Sequence, residues 1–364
     1  MQLRKNRFCF VQKYSLFLKK KAEKGNYKPS LVDIFAQTIV QDAAKACPPV
    51  VGNDQPNNTK QMGKIVVVGS SNTDLVIKTD RIPEPGETLL GGHFMMAAGG
   101  KGANQAVAAQ RLGAEVAFVA CVGDDLFGKD AVDGYRKEGI DTSHVSVKNG
   151  VPSGVASIFV DKSAENVIVV APGANSELGK DEIDAAEKEI SNADFVLMQL
   201  ETPIETVEYA VCKAYASGTK AVLNPAPAAQ LPDSLLEKLW LITPNRTEAQ
   251  LLTGLPVTNE EEAAEAAAAL AAKGVKNVII TLGSKGAYLL TPDFKGTVPA
   301  NHVEAVDTTA AGDTFNGALC VALSEGKTLR QACIFAAKAS AIAVTRMGAQ
   351  PSIPYRKEIA ECAE

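Results

Sequence analysis

From residue 62 onward, short continuously apolar runs alternate with Ala-rich amphipathic stretches, and this alternation limits the fold more than any other feature. The apolar runs lie at 65–68, 117–121, 195–198, 221–223 and 278–281, bounded by Gly, Asn, Pro or Asp. Between them lie helical patterns at 103–112, 130–138, 182–191, 204–216 and 260–273. Strands that are apolar throughout and separated by helices predict a parallel sheet covered on both faces. The expected fold is α/β: a three-layer, doubly wound, mostly parallel sheet, with ligands at the carboxyl ends of its strands. Four other strand-like runs, 73–81, 88–95, 153–160 and 166–171, have no helix between the members of each pair. They predict a small antiparallel sheet set apart as a lid, within about 73–97 and 153–171. Val155, Ile158, Val167 and Val169 are expected on its apolar face, which needs a cover and so predicts pairing with a second copy.

Composition removes several functions. The chain has 364 residues, 46% hydrophobic and 22% charged. No apolar run reaches the roughly 18–20 residues that a membrane helix needs. A formal charge of −5 and 5% aromatic residues leave no footprint for nucleic acid. Three histidines, His93, His144 and His302, are too scattered for a zinc site or a His-based triad. Seven cysteines, Cys9, Cys47, Cys121, Cys212, Cys320, Cys333 and Cys362, include no C-x-x-C pair. They read as free thiols in a reducing cytosol, which predicts a cytoplasmic protein.

Residues 1–61 differ in character. They hold 11 Lys and Arg against four acids, a charge of +7, whereas the remainder holds 26 against 38, or −12. The stretch from Pro48 to Asn58 is rich in turn formers and reads as a linker. A secretory signal fails because Leu16-Phe17-Leu18 is too short an apolar core. We read 1–61 as a poorly ordered basic extension, either upstream sequence or a start assigned too early, before a folded domain at 62–360. A transit peptide, despite little Ser and Arg, and a functional basic tail are the alternatives.

Two small-residue stretches carry chemistry. Asp307-Thr308-Thr309-Ala310-Ala311-Gly312-Asp313-Thr314-Phe315-Asn316-Gly317 leads straight into a helical pattern. Such a helix start presents free backbone N–H groups and favours an anion. Asp313 at its mouth is fit to cap the helix and do nothing more. It is equally fit to act as a general base, deprotonating an alcohol while the backbone cradle holds a transferring phosphoryl group. The second stretch, Gly99-Gly100-Lys101-Gly102-Ala103-Asn104-Gln105-Ala106, opens another helix with glycines that permit close approach. It is no Walker loop, because Gly102 follows Lys101, and no G-x-G-x-x-G follows the first strand. Asn72 and Asp74, two residues apart at a strand end, suit hydroxyl binding or a plain turn.

Together these residues resemble the ribokinase family of carbohydrate kinases, within the larger PfkB family. The resemblance covers essentially all of 64–358 and rests on both stretches in order. Met198-Gln199-Leu200-Glu201, Asn224-Pro225-Ala226-Pro227, Thr243-Pro244-Asn245-Arg246-Thr247-Glu248 and Thr281-Leu282-Gly283-Ser284-Lys285-Gly286 lie between them. It implies ATP-dependent phosphorylation of D-ribose at O5. By the same resemblance Asp313 is the catalytic base, and Ala310, Ala311 and Gly312 form the anion hole. Asn72, Asp74, Gly100, Lys101, Asn104, Glu201 and Asp313 bind the sugar. Asn245, Thr281, Gly283, Ser284, Lys285, Gly286 and Gly312 serve ATP, and Glu248 serves Mg²⁺ through water. K⁺ is implied as an activator, held by Asp307, Thr309, Ala343, Arg346, Gly348 and Ser352. Where family members often carry His or Asn near the adenine, Ala337 and Lys338 stand here. The family's interlocking lids imply a homodimer.

Three rival readings stand beside this one, the plainest being a scaffold in which Asp313 only caps its helix. Kinases of other sugars or nucleosides share the Gly-Asp end, and a non-catalytic sugar or nucleotide sensor could use the same fold. The complete stretch at 99–106 and the Asn72 and Asp74 pair favour ribose over other acceptors, and the intact Gly312-Asp313 pair speaks against the sensor.

Overall fold

β1 (Lys64–Val68) is apolar at every position but its first, and its side chains alternate between two cores. Ile65 and Val67 enter one and Val66 and Val68 the other, as a strand inside a parallel sheet requires. The structure is a computed structural model that describes residues 62–163 and 165–361; the expectations for 1–61 lie outside the described residues. After β1 come β2 (Asn72–Lys78), β3 (His93–Gly99), α1 (Lys101–Arg111), β4 (Glu115–Gly123) and α2 (Leu126–Glu138). β5 (Val145–Lys148), β6 (Gly154–Val160), β7 (Asn166–Ala171), α3 (Lys180–Ala185) and α4 (Glu187–Asn192) follow. Next are β8 (Phe195–Met198), α5 (Ile204–Ser217), β9 (Lys220–Leu223), α6 (Asp233–Leu236), β10 (Leu241–Ile242), α7 (Arg246–Thr253) and α8 (Glu260–Ala272). β11 (Val278–Thr281), β12 (Ala287–Leu290), β13 (Lys295–Val298), α9 (Ala311–Ser324), α10 (Leu329–Ala343) and α11 (Arg356–Glu361) complete the order.

Nine strands form one sheet in the order β13-β12-β11-β10-β9-β8-β1-β4-β5. Every neighbouring pair from β5 to β11 is parallel, and β12 and β13 turn back antiparallel. Helices α1, α9 and α10 share a core with Ile65 and Val67, whereas α5 and α8 share one with Val66 and Val68. This is the expected three-layer architecture. The strand order reverses at β1, between β4 and β8, so the carboxyl ends of β1 and β8 border the crevice where such folds bind ligands.

The remaining strands form a second sheet in the order β3-β2-β6-β7. Its outer pairs are antiparallel as expected, joined by a parallel contact between β2 and β6 that no sequence signal marks. β3 begins at His93 rather than at residue 88. Gly91 and Gly92, with φ of 109° and 108°, hold the chain out of a strand conformation just before it. Register also corrects the apolar face. Val155, Val167 and Val169 lie on one side with Leu75, Ile77, Phe94, Met96 and Phe159, whereas Ile158 lies on the other, with Asp74.

Two helices differ from expectation. α2 starts four residues before residue 130, capped by Asp125, whose Oδ1 accepts the Gly128 N–H at 2.9 Å. Gly128 disguised that first turn; it is there because a Cβ would stand 2.1 Å from the Gly123 carbonyl oxygen. The helix expected at 182–191 is two, α3 and α4, stepping at Ala186. Ile183, Ala186 and Ile190 still share one core, so their spacing is that of a single helix. Among the described residues, no helix is long and apolar enough to cross a membrane.

Candidate active site

α1 starts where β3 ends. Its N-cap, Gly100, has φ 88°, and a Cβ there would stand 2.7 Å from the Asn72 backbone nitrogen. A Cβ on Gly102 would come within 2.4 Å of the Ser70 nitrogen, so the first turn of α1 is pressed onto the end of β1. The Lys101 N–H donates to Glu201 Oε2 at 2.9 Å, and Ser70 Oγ donates to the same oxygen at 2.5 Å. Glu201 follows β8, so one carboxylate ties together the strand ends that flank the switch point. Asp74 is buried nearby. Burial above all, then the charges of Glu201 and Asp313, lift its pKa to about 6 against the pull of Lys101. Burial works against the Lys101 ammonium, but Asp313, Glu201, Glu248 and Asp74 outweigh it and raise that pKa. Asn72 Oδ1 accepts from Asn175 Nδ2 at 2.7 Å, which leaves the Asn72 NH₂ to be offered to a ligand.

α9 begins behind Ala310, whose φ of 58° turns the chain into the helix. The Ala311 N–H donates to the Thr308 carbonyl at 3.2 Å, and the Thr314 N–H to the Ala310 carbonyl at 2.8 Å. Gly312 and Asp313, in the first turn, have N–H groups with no intrahelical acceptor, which suit an anion. Asp313 is itself buried: Oδ2 accepts from Asn104 Nδ2 at 2.9 Å and Oδ1 from Gln105 Nε2 at 3.0 Å. Burial raises its pKa, while Lys101 and the two amides act to lower it. A carboxylate only accepts, so both amides turn their NH₂ toward it. Asn104 Oδ1 therefore faces away, buried and without a partner, an acceptor that a ligand hydroxyl would satisfy. Gln105 was passed over in the sequence, because nothing in the stretch at 99–106 distinguishes it from Asn104.

Beside the start of α9 lies a cavity of about 350 Å³. Thr281, Gly283, Ser284, Gly286, Ala311 and Gly312 line it; Lys285 and Asn245 do not. Its other walls are largely apolar, from Ala287, Val298, Phe315, Cys333, Ala337 and Val344, with polar groups at Asn301, His302 and Ser340. Apolar walls leading to a helix N-terminus suit a planar heterocycle that carries phosphates. Asn301, His302 and Ser340 belong to no motif and were not expected.

Residues 62–356 match the pfkB family of carbohydrate kinases. The chain belongs to that family. It is 48% identical over 300 residues to the ribokinase of Haemophilus influenzae, covering 82% of this chain and 98% of that one. A deoxyribokinase of Salmonella typhimurium is 38% identical over 298 residues, covering 82% and 97%. A structure of Arabidopsis thaliana ribokinase complexed with ribose and ATP matches with a TM-score of 0.76 at 33% identity, covering 82% and 98%. The protein is therefore a kinase, and the resemblance to ribokinases covers 82% of the chain.

In this kinase Asn245 and Glu248 form a capping box at the start of α7. The Asn245 N–H and Nδ2 each donate to one Glu248 oxygen at 2.8 Å, and Asn245 Oδ1 accepts the Glu248 N–H at 2.9 Å. Burial, first of all, raises the Glu248 pKa. Each carboxylate oxygen keeps a lone pair, so the donor chemistry fits a hydrated Mg²⁺. Farther along, Asp307 Oδ1 accepts the N–H and Oγ1 of Thr309 at 2.9 and 2.7 Å, and Oδ2 accepts the Gly348 N–H at 2.8 Å. Burial alone would raise the Asp307 pKa, but these bonds hold it below the usual value. Three of the six residues expected around K⁺ thus meet. The Ala343 carbonyl accepts the Arg346 N–H, the Arg346 guanidinium pairs with Glu358, and Ser352 Oγ donates to the Ala349 carbonyl. Among the described residues, no group of three or more His, Cys, Asp or Glu could hold a metal ion.

Proposed function

We propose that this kinase transfers the γ-phosphoryl group of ATP to O5 of D-ribose, giving D-ribose 5-phosphate and ADP. The placement of Asp313 carries the reading. It is buried and held by two amides, between the polar cluster of Asn72, Asp74, Lys101, Asn104 and Glu201 and a cavity of nucleotide character. Asp74, Glu201 and Asn104 Oδ1 accept from sugar hydroxyls, whereas the Asn72 NH₂ and Lys101 donate. Gly100 supplies the close backbone approach. Asp313 takes the proton of the attacking hydroxyl, and the start of α9 stabilises the charge on the phosphoryl oxygens. Ala310 and Ala311 shape that cradle while the Gly312 N–H donates into it.

Mg²⁺, when bound with ATP, neutralises phosphate charge; Asn245 and Glu248 would hold it through water. K⁺ would be held at the Asp307, Thr309 and Gly348 loop, with Ala343, Arg346 and Ser352 setting the loop's shape. We also propose that residues 62–360 carry the activity, in the cytoplasm, as a homodimer paired through the lid.

The test is ADP release with D-ribose, with and without K⁺. Asp313→Asn is expected to lower kcat by about 10²- to 10⁴-fold. Undiminished turnover in that variant would sink the base assignment. A second reading, 2-deoxy-D-ribose as acceptor, is favoured by the likeness to a deoxyribokinase. A tenfold higher kcat/KM for the deoxy sugar, about 1.4 kcal/mol in the transition state, would replace the substrate and keep the mechanism.

A further inference from the structure

Gln105 is wholly buried and bridges three groups. Its Nε2 donates to Asp313 Oδ1 and to Asn224 Oδ1, each at 3.0 Å, and its Oε1 accepts from Gln199 Nε2 at 2.6 Å. The polarity of this chain of amides is fixed from its ends. Asn224 Nδ2 donates to the Thr243 backbone carbonyl at 3.4 Å, a group that only accepts, so Asn224 must present its oxygen to Gln105. The Asp313 carboxylate also only accepts. Both neighbours therefore demand the NH₂ of Gln105, and Gln199 must supply a donor to the other end. Gln199 Oε1 then lies against Gly69, where a Cβ would stand 2.1 Å away.

We propose that Gln105, oriented by Asn224 and Gln199, is a positioning residue that fixes the plane of the Asp313 carboxylate. The inference rests on Asp313 being the base. With one amide on each oxygen the carboxylate cannot rotate, and each oxygen keeps a lone pair for the substrate proton. Without Gln105 the carboxylate would turn about its last torsion and lose a donor that favours its ionised form. The charged groups facing Asp313 are Lys101 from α1, Asp74 from β2, Glu201 after β8 and Glu248 from α7. None of them replaces the amide on Oδ1.

The experiment compares pH profiles of kcat and kcat/KM for the full chain, Gln105→Leu, Gln105→Glu and Asp313→Asn. Gln105→Leu is expected to lower kcat about 10- to 100-fold, to change ribose KM little, and to move the acid limb up by about one pH unit. Gln105→Glu keeps the side chain's size, so it carries the test if the leucine variant does not fold. Its second carboxylate should push the acid limb higher still. A wild-type kcat and acid limb in either folded variant would overturn the assignment. So would a lower kcat with an unmoved limb, which marks a structural role alone. If Asp313→Asn keeps full turnover, the base reading falls first; if it is inactive while the Gln105 variants match wild type, only this inference falls.

Discussion

Asp74 carries a charge that its surroundings resist. Burial, with Glu201 and Asp313 nearby, moves its pKa from 3.8 to about 6. Between those values the folded protein holds a proton that the unfolded chain has already released. Stability therefore declines as the pH rises through that window, by on the order of 2–3 kcal/mol, and the loss persists above it. Asp74→Asn should raise the melting temperature at pH 7.5 and lose that advantage as the pH approaches 4, as calorimetry across the range would report. If Asp74 accepts from a sugar hydroxyl, as proposed, the same change removes that acceptor and ribose KM should rise. In the wild-type enzyme ribose binding should weaken as the pH falls through about 6. A variant that melts no higher at pH 7.5 would show that Asp74 bears no such burden. The pairing of Asn72 with Asp74 was legible, because two polar residues at a strand end stand out against an apolar run. Gln105 was not, because its role depends on partners 94 and 119 residues away.

At the scale of elements, α1 and α9 bring Asn104 and Asp313 together, and they cross at Gly317. A Cβ there would stand 2.6 Å from Ala108 Cβ, and 2.9 Å from the Ala109 nitrogen and the Gln105 carbonyl oxygen. Two effects oppose each other in Gly317→Ala. Helix propensity gains about 1 kcal/mol, whereas overpacking against backbone costs about 1–3 kcal/mol. Because two of the three contacts are backbone atoms that cannot rotate away, overpacking should win. We expect a melting temperature lower by a few degrees and a reduced kcat, since α1 would be pushed from Asp313. A variant as stable and active as wild type would mean that the helices yield at this crossing. The same contrast explains what was readable. The periods of strand and helix are local, so the sheet and its covering helices followed from the apolar pattern. Boundaries failed at glycines that serve packing or a bend, Gly128 and Gly91-Gly92. The parallel pairing of β2 with β6 failed because no local pattern records which distant strand comes alongside.

For the whole molecule, the lid has two faces with different needs. Asn72 and Asp74 stand on one face; Leu75, Ile77, Phe94, Met96, Phe159, Val167 and Val169 stand on the other. Phe94, Met96 and Val169 are 63%, 54% and 64% exposed, so the second face is apolar and open. Fully burying each large apolar side chain is worth about 1.5–3 kcal/mol, and a self-complementary two-fold contact would cover the same residues on both copies. The full chain should therefore sediment as a dimer at micromolar concentration. Met96→Glu combined with Val169→Glu should make it a monomer, because a two-fold contact would bury each new charge twice. Ribose KM should then rise more than kcat falls, because Asp74 shares strand β2 with the freed face while Asp313 stands on α9, away from it. A dimer that survives both charges would place the contact elsewhere, and a monomeric wild type would leave this face uncovered and the pairing refuted.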